Sequence, residues 1–112
     1  MVKRVSIYSL PEGTNPDEFW KYHIEVHASD IKKAAGPRLK KYAINRVTRV
    51  VSGEQKFWGM VETWWESEEA IREATKDINA LKAPGGKTIW DDFWSRVVDG
   101  FSAEVEEKEI TL

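Results

Sequence analysis

The sequence contains no cysteine, which removes disulfide frameworks, thiolate metal sites and cysteine nucleophiles together. It also lacks long apolar runs: the opening MVKRVSIYSL alternates polar with apolar residues instead of building a signal-peptide core. A soluble, untargeted, cytoplasmic protein with no membrane contact is therefore expected. Charge of one sign is not in excess, since 17 Lys+Arg stand against 19 Asp+Glu for a net charge of -2. Without a basic face to neutralise a row of phosphates, nucleic acid is not expected as a partner. Histidine is scarce, at two residues, so a zinc ion would have to draw most of its ligands from elsewhere, and no metal and no cofactor are expected.

Two further absences concern motifs. Gly86-Lys87-Thr88 ends like a phosphate-binding loop, but Leu81 stands where that pattern needs glycine. No serine lies in a Gly-x-Ser-x-Gly turn, so serine hydrolase chemistry is unsupported.

What is present is one domain's worth of chain, residues 1–112, able to bury about two thirds of its unfolded surface. Six Trp, three Tyr and four Phe are enough to fill a core and, equally, to line a pocket or an interface. Val2 to Leu10 alternates Val5, Ile7 and Ser9 with Arg4, Ser6 and Tyr8, the pattern of a strand with one buried face. Asn15-Pro16-Asp17-Glu18 opens a helix with a capping side chain and proline at its first position. Trp20, Ile24, His27, Ile31 and Ala34 then recur at helical spacing, widened by Phe19, His23 and Val26, up to a stop at Gly36-Pro37.

Leu39 to Val51 and Phe57 to Trp64 read as a long hairpin turning at Ser52-Gly53-Glu54-Gln55. Ser67 caps a second helix whose buried side is Ala70, Ile71, Ala74 and Ile78. Ile89 to Trp94 is a short helical piece, and Val97 to Ile110 is the last strand. The order is β-α-β-β-α-β, an α+β ferredoxin-like fold with a four-stranded antiparallel sheet. Helices cover one face of such a sheet. A second copy is expected to cover the other, giving a two-fold homodimer through the sheet faces, a dimeric α/β barrel.

The two histidines, His23 and His27, lie four apart and share a helix face. HIEVH is not the zinc-protease motif, which needs glutamate directly after the first histidine. His27 falls inside the apolar stripe, where it is either a buried, hydrogen-bonded core residue or a general acid/base in a pocket. His23 sits nearer the stripe's edge. Asp92, between Trp90 and Trp94, has a claim on the end of the cleft. Tyr8, Tyr42, Arg46 and Trp64 lie on strands and offer polar or stacking contacts, with a facing that strand register decides.

From Pro11 to Val47 the chain resembles the EthD-like family, through Pro11, Glu18-Phe19, Tyr22, His27-Ala28 and Lys41-Tyr42 with Asn45. The resemblance implies a ferredoxin-like protomer, a two-fold dimer and a cavity between sheet and helices, with His27 at the His-Ala position as the residue that carries chemistry. Relatives in the same superfamily act as cofactor-free monooxygenases, polyketide cyclases, muconolactone isomerases and haem-handling enzymes. The expectation is a cavity that binds or acts on a small aromatic or lactone-like compound, as a cofactor-independent oxidoreductase, cyclase or isomerase. In it His27 is general acid/base, Tyr8 or Tyr42 bonds the substrate, and Trp20 and Trp64 wall the pocket. The alternatives are a non-catalytic ligand-binding module and a haem-binding protein with His27 on the iron.

Overall fold

A computed structural model describes residues 1–112. The elements run β1 (Val2–Ser9), α1 (Pro16–Tyr22), a π turn (His23–His27), α2 (Ala28–Ala35), β2 (Leu39–Arg46), β3 (Gly59–Trp65), α3 (Glu68–Ala80), α4 (Ile89–Ser95) and β4 (Val98–Val105). The strands form one four-stranded sheet in the order β2-β3-β1-β4, antiparallel at every pairing. This is the ferredoxin-like arrangement expected from the element order.

Two strands are shorter than their composition suggests, because a strand persists only where it has a partner. β2 stops at Arg46, since its neighbour β3 begins at Gly59, and exposed Val50 and Val51 lie in the connecting loop. β4 stops at Val105, which pairs with Lys3 at the beginning of β1.

The long helical segment opens as expected, with the Asn15 side chain accepting from the backbone N–H of Asp17 and Glu18. Its buried stripe is Phe19, His23, His27, Ile31 and Ala35, while Ile24 and Val26 are exposed. This stripe shares His27 and Ile31 with the one that a uniform 3.6-residue repeat selects, but takes Phe19 and His23 in place of Trp20 and Ile24 before them and Ala35 in place of Ala34 after them. A strict four-residue spacing drifts off the face of an α-helix. The π turn takes up the drift: the N–H of Ala28 reaches back to the carbonyl of His23, an i to i+5 bond, and the wider turn returns the stripe to the sheet.

Between helices and sheet lie two packed groups. Ile31, Ala35, Trp65, Ile71, Ala74 and Ile78 form most of an apolar cluster under α2 and α3. Tyr8, Phe19, Phe93 and Val97 form an aromatic one nearer α4. The pleat sends Val5, Ile7, Met60, Phe101, Ala103 and Val105 to the other side of the sheet, as their pairing shows. That side carries no helix, and Phe101 on it is 57% exposed. It is not uniformly apolar: Lys3 pairs with Glu62 at 2.9 Å and with Glu107 of the C-terminal segment at 2.7 Å.

Candidate functional site

A cavity of about 290 Å³ opens between the sheet and the helices. Its floor comes from alternate residues of the strands, Arg4, Ser6, Tyr42, Val61, Thr63, Trp65 and Ser102. Its walls come from the helical segments, chiefly His23, His27, Ile31, Trp90, Phe93 and Trp94. It lies at the boundary of the two packed groups, where aromatic walls meet a few polar groups, the composition expected of a small-molecule site.

The π turn is what delivers both histidines here. His23 is fully buried and His27 is 3% exposed. The hydroxyl of Tyr8 and Nδ1 of His23 are hydrogen-bonded at 3.0 Å. His27 stacks on Phe93, with ring centroids 4.4 Å apart, and meets Trp90 edge to face at 5.6 Å. Two buried side-chain atoms of the chain have no partner, Nε2 of His23 and Nδ1 of His27. Nε2 of His27 is neither sealed nor bonded within the chain, so this nitrogen is the one the pair offers to the cavity.

Burial sets the protonation. It drives the His23 imidazole down to about 4. Burial and then the neighbouring His23 take His27 down to about 3, against a small opposing pull from Asp92. Both rings are neutral at pH 7. Burial raises the phenols of Tyr8 and Tyr42, so these keep their protons. The ring of Tyr8 lies so close to β3 that a Cβ at Gly59 would stand 2.6 Å from its hydroxyl, which explains why a residue without a side chain occupies that position.

Charge is kept to the margins. Arg4 is engaged by Glu68 at 3.4 Å and Glu104 at 3.6 Å. Behind His27, the Tyr22 hydroxyl donates to Asp92 at 2.7 Å, and the guanidinium of Arg96 lies 4.0 Å above the Tyr22 ring. Partial burial works against the charged form of Asp92, but the bonds from Tyr22 and Arg96 outweigh it and hold the carboxyl below its ordinary value.

The residues singled out from sequence are divided among several places. His27, His23 and Tyr42 line the cavity, and Tyr8 reaches it through His23. Asp92 stands one layer back, on Tyr22. Trp20 lies in a separate groove between the helical segment and β2, lined also by Ile24 and Ile44, with the Arg46 guanidinium 4.7 Å above its ring and Arg46 bonded to Asp17 at 3.0 Å. Trp64 projects from the opposite face of the sheet, where its indole N–H donates to Glu107 at 3.1 Å. The indole that lines the cavity belongs to its neighbour Trp65, as expected when a one-residue step along a strand reverses the face. Trp90, Phe93 and Trp94 also line it, a trio whose i, i+3, i+4 spacing on α4 was visible in the sequence.

No family model and no curated protein matches the sequence. Solved structures do match the fold, along nearly the whole chain. An EthD family protein from Bacillus halodurans superposes with a TM-score of 0.70 at 24% identity, over 96% of this chain and 99% of that one. SnoaB, a cofactor-independent oxygenase from Streptomyces nogalater, gives 0.65 at 13% identity, over 97% and 94%. A mutant of MhuD with two manganese protoporphyrin IX molecules bound per active site gives 0.64 at 19% identity, over 99% and 98%. Further neighbours are described as dimeric ferredoxin-like proteins. The chain therefore has the fold of the dimeric ferredoxin-like proteins, and EthD family and EthD-like proteins are among those that share it.

Proposed function

We propose that the chain is an EthD-like protein that binds a small aromatic or lactone-like compound in the cavity and acts on it by proton transfer, with His27 as general acid/base. The observation that carries this reading is the neutral imidazole of His27 at the cavity wall, with neither ring nitrogen hydrogen-bonded by the protein and Nε2 the one that is not sealed. A neutral imidazole accepts a proton at its bare nitrogen and donates a hydrogen bond from the other, and low-dielectric aromatic walls strengthen its hydrogen bond to a ligand. The cavity's size is at the lower end of the ~300–1,000 Å³ typical of ligand pockets, which suits a compound of one or two rings.

A thermal-shift screen of phenols, lactones and small quinones tests this, because a ligand bound only by the folded state raises the melting temperature by mass action. At least one of these classes is expected to stabilise the protein, and less so in His27→Ala. Absence of any shift across the three classes would overturn the reading.

Haem binding is the second reading, favoured by the inward neutral imidazole and by the porphyrins held in the MhuD structure. The residues present do not fit that group well. The cavity is small for a macrocycle, and Arg4, the cation at its edge, is already held by two glutamates. Titration with haemin is expected to give no sharp Soret shift that depends on His27.

The open side of the sheet is the basis for proposing a homodimer, supported by dimeric neighbours of the same fold. Pairing two such faces would cover Ile7, Phe101, Ala103 and Val105 in both copies. Light scattering is expected to give about twice the 12.9 kDa of one chain, and a monomer mass at micromolar concentration would refute it.

A further inference from the structure

The two unpartnered nitrogens, Nε2 of His23 and Nδ1 of His27, belong to adjacent rings on one face of the π turn. Burying either without a partner costs about 1–3 kcal/mol, so an arrangement that satisfies both is strongly favoured. Each is the other's natural partner. The ring centroids are 5.5 Å apart, so the two nitrogens, if turned to face one another along the line of centres, would approach hydrogen-bond distance, ~3 Å. The torsion that turns an imidazole is broad and costs little to move.

The direction of that bond follows from Tyr8. A phenol carries one proton, and the only hydrogen bond of the Tyr8 hydroxyl is to Nδ1 of His23. If Nδ1 carried a hydrogen, the buried phenol proton would have no acceptor. Tyr8 therefore donates, Nδ1 accepts, and the single proton of neutral His23 sits on Nε2. Nε2–H then donates to Nδ1 of His27, which leaves the proton of His27 on its Nε2, the nitrogen available to the cavity.

We propose that Tyr8, His23 and His27 form a one-way hydrogen-bond chain that locks His27 as an Nε2–H donor toward the cavity, so that the ligand binds through an acceptor oxygen such as a ketone or lactone carbonyl. This rests on the ligand-binding reading above and deepens it: His27 meets its ligand as a hydrogen-bond donor. Tyr8 and His23 are positioning residues that act through the tautomer of His27.

The test is made on the free, intact protein, labelled with ¹⁵N-histidine, by long-range ¹H–¹⁵N correlation at pH 7, which reports which nitrogen of each ring is protonated. Both histidines are expected as Nε2–H forms. Tyr8→Phe should release His23, and with it His27, into mixed tautomers. His23→Leu should do the same to His27, whereas His23→Gln, whose amide can still donate to Nδ1, should restore the Nε2–H form. His27 protonated on Nδ1 in the wild type would overturn the proposal, as would a His27 tautomer identical in His23→Leu and His23→Gln. If Tyr8→Phe does not fold, the two His23 variants decide alone. No ligand enters these measurements, so their failure leaves the thermal-shift result standing, and a failed ligand screen leaves the tautomer assignment standing.

Discussion

Under α2 and α3, Ile31, Ile71, Ala74 and Ile78 pack with Trp65 in a cluster built from apolar side chains. Nearer α4, Tyr8, Phe19 and Phe93 enclose two imidazoles, each with a buried nitrogen that has no hydrogen-bond partner outside the pair. The same layers of helix and sheet make both regions. The difference is that the first gives up water for close packing alone, and the second gives up water around polar atoms as well. Burial of apolar surface is stabilising and burial of unpaired polar groups is not. A region that bears such a cost beside a cavity is where a site is expected, and the plain cluster beside it supplies the stability that the site consumes.

The largest expected effect breaks the comparison at its stable end. Ile78 is wholly buried, and Ile78→Ala should destabilise the protein by about 2–5 kcal/mol in urea titration, through lost transfer energy and the cavity left behind. The folded fraction should keep the wild-type thermal shift with any ligand that the screen finds. A loss below ~1 kcal/mol would mean that the apolar cluster does not carry the fold.

Acid should break the other region. The folded values of His23 and His27, about 4 and about 3, lie below the ordinary 6.5. The unfolded chain therefore takes up protons at a pH where the folded chain refuses them. Stability from this source is complete above pH ~6.5 and is lost as pH falls through the window toward 4 and then 3, at up to about 1.4 kcal/mol per pH unit for each histidine. Urea titrations between pH 7 and pH 4 should show the decline in the wild type and a flatter profile in His27→Leu. Parallel profiles in the two proteins would place the acid sensitivity elsewhere.

The smallest effect on stability sharpens the contrast. At pH 7, His27→Leu keeps a side chain of similar size but leaves the buried Nε2–H of His23 without its acceptor, so stability should fall by about 1–3 kcal/mol, less than in Ile78→Ala. Ligand-induced stabilisation should fall at least tenfold in apparent affinity. A variant that lost several kcal/mol while still binding ligand would make His27 a core residue and nothing more.

The sequence by itself determined the order of elements, the capping of α1 by Asn15 and of α3 by Ser67, the buried side of α3, and the presence of histidine on the sheet-facing side of the long helix. These are local properties, set by spacing and by which side chains can satisfy a helix end. It left undecided which of two adjacent tryptophans faces the cavity, because period-2 alternation marks two faces without naming the inner one. Only pairing of β3 with β1 and β2 sent Trp65 inward and Trp64 outward. Likewise the 3.6-residue repeat selected Trp20, Ile24 and Ala34, and the π turn brought Phe19, His23 and Ala35 into the buried stripe instead. Tertiary packing favoured that wider turn because it keeps a four-residue stripe against the sheet over its whole length, and in doing so it set two histidine rings side by side beneath Tyr8.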